Sequence, residues 1–145
     1  MVMKEYPNLV VGDQHIDARG KISFINDFDM LAVRRMYMLT YDSPSTTRGW
    51  RAHRREQRWF TALNGSFRIS IVEIDDWVKP SKALPMFTFN LEEALLKVLH
   101  VPPGFGTFIE ALEPNSKILV HGDYLIDQAT NDDFLFPDDY FKIDI

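Results

Sequence analysis

Phe67, Ile69 and Ile71 alternate with Arg68, Ser70 and Val72. A period of two marks a β-strand with one face turned inward. The pattern predicts strands over residues 21–26, 33–41, 57–63, 66–74, 86–90, 107–112 and 116–124, where β-branched and aromatic residues gather. Asn64-Gly65 predicts a hairpin between two of them, because a type I′ turn needs positive φ. Residues 91–101 are ambiguous: Leu91, Leu95 and Val98 fall at helical spacing, but Pro102-Pro103-Gly104 stops any helix. A turn at 90–93 followed by a strand is the preferred reading. Residues 75–85 read as a loop, and Glu113-Pro114-Asn115 as a turn. The tail, residues 130–145, alternates acidic and aromatic residues and is expected to cap a surface. Many short strands between turns predict an all-β sandwich or barrel.

Composition narrows this picture. The 145 residues fit one domain, 1–145, with enough apolar content (46%) for a real core. A net charge of −5 argues against nucleic-acid binding, which favours a basic face. There is no cysteine, hence no disulfide or thiolate metal site. No apolar run is long enough for a signal peptide or a membrane span, so a soluble cytoplasmic protein is expected.

Against this acidic background, RGWRAHRREQRWF (residues 48–60) concentrates arginine, histidine and tryptophan in a strand-like stretch. Arg54 and Arg55 read as solvated charge. In this strand-like stretch Arg51 and His53, and with them Arg58, are expected to project toward one interior, with Arg48 at the strand start. Such a cluster forms a cationic pocket suited to phosphate or carboxylate.

Three segments carry a resemblance. Asp17-Ala18-Arg19-Gly20 is a D-x-R-G turn before a strand. Arg34-Arg35-Met36-Tyr37-Met38 precedes Arg48-Gly49-Trp50-Arg51-Ala52-His53, and Val101-Pro102-Pro103-Gly104-Phe105 follows later. Together they resemble the RmlC-like cupins acting on nucleotide sugars. These are the dTDP-4-dehydrorhamnose 3,5-epimerases and, more closely, the dTDP-sugar 3,4-ketoisomerases with their WxcM-like relatives, which carry R-G-F/W-H-A-H and P-P-G-F. The likeness spans roughly residues 15–140. It implies a cupin-type double-stranded β-helix, or jelly-roll barrel, usually dimeric, with the ligand in the barrel mouth. It also implies isomerase or epimerase activity on a dTDP-4-keto-6-deoxyhexose, by proton transfer next to the carbonyl and without metal or organic cofactor.

One position departs from that pattern. The family's first histidine of H-A-H, its presumed general base, is Arg51 here, and a guanidinium accepts no proton near neutral pH. His53 is therefore the expected base, with a pKa lowered by Arg51, and Tyr37 an acid or hydrogen-bond donor. Arg48, Arg51 and Arg58 are the expected substrate anchors. Trp59 is the candidate to stack on a base or sugar ring, as is Trp50, and both also suit a core. The alternative function is a non-catalytic cupin binding a nucleotide sugar or other small anion. In metal-binding cupins the ligand positions correspond to Arg51, His53, Arg58 and Thr107, or Gln57 in another register, so no metal is expected.

Overall fold

The computed structural model describes residues 4–142; the last three residues of the expected tail lie outside it. The strands are β1 (Asn8–Val11), β2 (Asp13–Asp17), β3 (Gly20–Phe24), β4 (Arg35–Tyr41), β5 (Trp50–His53) and β6 (Arg58–Asn64). There follow β7 (Ser66–Glu73), β8 (Met86–Glu92), β9 (Lys97–Val101), β10 (Phe105–Ala111) and β11 (Ser116–Gly122). A single helical turn, α1 (Ile126–Ala129), and a 3-10 turn (Thr130–Asp132) lead into β12 (Phe134–Phe136). Among the described residues no helix is long and apolar enough to cross a membrane.

Two five-stranded sheets, ordered β1-β9-β6-β11-β4 and β12-β5-β10-β7-β8, face each other. The chain steps between them at nearly every turn from β4 to β12, which is the jelly-roll arrangement expected. Their inner faces enclose Tyr41, Phe60, Phe67, Ile69, Ile71, Leu99, Phe105 and Ile118. Each of these is at most 2% exposed, and burying such a side chain contributes about 1.5–3 kcal/mol.

The predicted strands form close to where the alternation puts them, and β1, β2 and β12 add to them without having been predicted, but the Asn64-Gly65 hairpin does not form. β6 pairs with β9 and β11, whereas β7 pairs with β8 and β10. Asn64-Gly65 instead carries the chain from one sheet to the other. Gly65 has the positive φ expected (72°), while Asn64 is not left-handed, so the type I′ requirement is unmet. Gly65 is needed for closeness as well: an added Cβ would lie 2.1 Å from Ser116 Oγ. The ambiguous stretch resolves much as read, with β8 running to Glu92, a turn, and then β9.

The outer face of the second sheet is not solvated as β7 suggested. Val72 joins Trp50, Ala52, Phe108 and Phe141 in a second apolar cluster covered by Phe134, Phe136 and Tyr140. Trp50 is fully buried, meets Phe141 edge-on at 4.9 Å and donates its indole N–H to the Asp138 carbonyl at 3.1 Å. The tail therefore caps the sheet, as its composition predicts.

Candidate active site

β5 sorts its residues by parity. Trp50 and Ala52 enter the outer cluster. Arg51 and His53 face the barrel interior, where they meet Tyr37 from β4. β6 and β10 add Arg58, Phe60 and Thr107 by the same alternation. Two adjoining cavities result, sharing Tyr37, Leu39 and Arg51. The inner one, about 300 Å³, is lined by Arg48, Arg51, Arg58, Tyr41 and Thr107 among others. The outer one, about 460 Å³, is lined by Arg35, His53, Ile126, Ala129 and Asp133 among others.

Arg51, His53, Arg58 and Thr107 do converge. Arg51 sits directly opposite Thr107 in the β5–β10 register. Arg58 donates to Thr107 Oγ1 at 3.2 Å and lies 5.1 Å from the Phe60 ring. Arg58 is only 3% exposed, and burial pushes its pKa down. Among the described residues no carboxylate stands within ion-pair distance of it. A buried cation without a counter-ion is costly, and an anionic ligand would offset that cost. Arg48 is exposed at the rim, 5.2 Å from the Tyr41 ring, and among the described residues no carboxylate lies within ion-pair distance of it.

His53 is fixed by a backbone group. Its Nδ1 lies 2.7 Å from the Asp132 carbonyl oxygen. A carbonyl only accepts, so Nδ1 carries the hydrogen and Nε2 keeps a lone pair. Burial, then Arg58, and more weakly Arg51 and Arg35, push the imidazole pKa down to about 3, against the Asp132 hydrogen bond. The ring is neutral at physiological pH and able to accept a proton. The arginine effect expected from sequence is present, but burial and Arg58 outweigh Arg51.

This shift links stability to pH. The unfolded chain binds a proton at His53 near 6.5, the folded chain only near 3. Stability from this group is complete above about 6.5 and is lost as pH falls toward 3, at up to about 1.4 kcal/mol per pH unit. Urea unfolding between pH 7 and 5 should show wild type losing stability more steeply than His53→Asn. Parallel profiles would count against a buried neutral His53.

The tail supplies groups that the sequence reading left out of the site. The Asp132 side chain, 5% exposed, accepts the backbone N–H groups of Arg54 (3.0 Å), Arg55 (2.9 Å) and Glu56 (2.8 Å). It clamps the turn that follows His53 while its own carbonyl orients the ring. Asp133 pairs with Arg51, Oδ1 to Nε at 3.1 Å. The expectation of a mere surface cap is corrected here: the tail both covers the outer sheet and finishes the mouth.

Arg35 was also missed. It shares parity with Tyr37 on β4, and its guanidinium lies 5.2 Å from the Tyr37 ring. Nη2 bridges both oxygens of buried Glu56 at 3.1 and 3.0 Å. Burial raises the Glu56 pKa, and Arg35 and Arg58 act against that.

Trp59 corrects another expectation. As β6 turns Arg58 and Phe60 inward, it turns Trp59 to the opposite face. Trp59 stacks on His100 at 5.3 Å and packs near Phe28, and it lines neither cavity. Trp50 is likewise excluded from the cavities, buried beneath the tail.

The sequence matches the family described as FdtA: WxcM-like, C-terminal, over residues 7–142. The chain belongs to that family. No curated protein sequence matches it. Its fold is similar to the RmlC epimerase of Mycobacterium tuberculosis (TM-score 0.72, 15% identity, covering 90% of this chain and 68% of that one). It is also similar to a variant of the 3,4-ketoisomerase QdtA from Thermoanaerobacterium thermosaccharolyticum in complex with TDP-4-keto-6-deoxyglucose (TM-score 0.69, 21% identity, covering 95% and 93%). A 3,4-ketoisomerase from Helicobacter canadensis gives TM-score 0.70 at 15% identity, covering 92% and 93%.

Proposed function

We propose that this WxcM-like protein is a sugar-nucleotide isomerase or epimerase. Its substrate is a dTDP-4-keto-6-deoxyhexose, and the reaction is proton transfer next to the carbonyl. The observation that carries this reading is His53, neutral and held as the Nδ1–H tautomer beside Arg51 and Arg58. Nε2 removes the proton on the carbon next to the ketone, and His53 becomes imidazolium as the ketone becomes an enolate. The enolate oxygen then lies among guanidiniums, where developing negative charge is stabilised. That same charge offsets the arginine repulsion that, second to burial, lowers the imidazole pKa. Arg48 and Arg51 hold the diphosphate, and Tyr37 donates a hydrogen bond or returns a proton. The four positions where other cupins hold an ion are two guanidiniums, an imidazole and a hydroxyl. That set repels a divalent cation, so side chains alone perform the transfer.

Arg51 in place of a histidine favours a second reading, a cupin that binds a nucleotide sugar without turning it over. Incubation with TDP-4-keto-6-deoxyglucose in deuterated water separates the two. Deuterium entering next to the carbonyl is the expected result. Binding without any exchange, across several nucleotide sugars, would favour the binder.

The working form under this proposal is a homodimer. Among the described residues β2 and β3 pair only with each other, and Ile16 and Ile22 stand 65% and 59% exposed on that hairpin. A two-stranded ribbon alone is marginal in water, and a second copy would cover it. Sedimentation should give twice the 16.9 kDa chain mass, shifting to one chain mass for Ile16→Lys/Ile22→Lys. A wild-type monomer at micromolar concentration would rule the dimer out.

A further inference from the structure

We propose that Arg34, Arg54 and Arg55 form a second anion site, sized for a pyrophosphate-bearing small molecule and separate from the barrel mouth. The three guanidiniums line one cavity of about 470 Å³ that shares no lining residue with the outer cavity at His53. They come from two segments: Arg34 just before β4, and Arg54 and Arg55 from the turn after β5. None has a carboxylate within ion-pair distance among the described residues.

Two carboxylates do line the cavity, Asp123 and Asp132, but both are already engaged. Asp132 accepts three backbone N–H groups. Asp123 accepts from the Gln57 backbone N–H at 3.0 Å and its side-chain amide at 3.1 Å. Their charge is thus directed into the 54–57 turn rather than toward the arginines. Arg54 is braced by an aromatic ring instead, 5.8 Å from Trp77. Like charges gathered around one polar cavity repel, and a bound polyanion relieves the repulsion. Guanidinium forks suit phosphate oxygens, while Tyr124, Gln128 and Asn131 at the cavity wall offer a ring and amides to whatever the phosphates carry.

The site stands independently of the proposed reaction. The test is calorimetric titration of inorganic pyrophosphate into wild type, Arg54→Ser/Arg55→Ser and Arg51→Ser. All the replaced arginines are solvent-exposed, so folding should survive and thermal melting verifies it. Wild type should show two sites. The double variant should lose one of them, or weaken it at least about tenfold, because charge-assisted hydrogen bonds are removed. Arg51→Ser should keep that same site. Arg34→Ser, on a different segment, should weaken it in the same direction. The proposal is overturned if the double variant binds pyrophosphate like wild type, if Arg51→Ser abolishes all binding, or if wild type binds none. A single wild-type site lost only in the double variant would support the second site while removing support for the anion-binding mouth.

Discussion

Replacing His53 with asparagine is expected to cut deuterium exchange into the keto sugar by about a hundredfold to ten-thousandfold. TDP binding should change little, because the phosphate contacts are assigned to arginines. The reason is local: His53 is the one imidazole facing the outer cavity, and its Nε2 lone pair is free. Single-turnover exchange together with TDP titration checks both halves. Undiminished exchange would remove His53 from the chemistry. Arg51→His, which restores the family's H-A-H, sharpens the result. In a working enzyme it removes a fixed charge, along with the Asp133 ion pair, and should lower the rate. In a binder it supplies a second base and should create activity.

Asp132→Ala should be the most destabilising single change near the site. It leaves three backbone N–H groups of the 54–56 turn without their acceptor. An unsatisfied buried donor costs about 1–3 kcal/mol, so a total of about 3–5 kcal/mol is expected after partial rehydration. Asp132→Asn keeps one acceptor oxygen and should cost less. Both should also slow exchange, since the carbonyl that fixes the His53 ring belongs to the residue being loosened. Denaturant unfolding of the two variants gives the order directly. Equal stability to wild type would mean the clamp is dispensable.

The strands were legible because alternation survives in them: Phe67, Ile69 and Ile71 inward on β7, Arg51 and His53 inward on β5, and Arg58 and Phe60 inward on β6. Arg35, two residues before Tyr37 on β4, carries the same parity signal but lies outside the arginine-rich stretch where the charge concentrates. Trp59 was misassigned for the converse reason. Residue type suggested stacking, while its parity, odd beside Arg58 and Phe60, already pointed away from the cavity. Asn64-Gly65 failed differently. Turn chemistry reports the local backbone, not which partner a strand takes, and here the partners lie in different sheets. Asp132 left no periodic signal at all. It acts from a 3-10 turn between a helical turn and a short strand, through contacts to residues more than seventy positions earlier.

That distance along the chain has a consequence for the order of events during synthesis. Eleven strands precede Asp132 in the chain, including every strand that lines the cavities. A ribosome therefore makes the barrel first and delivers the group that aims His53 afterwards, with Phe134, Phe136 and Phe141 securing it to the outer sheet. A nascent barrel can gather its arginines before it has an oriented imidazole. Capture of an anion and readiness to move a proton are thus acquired at separate times, the second only when the tail docks.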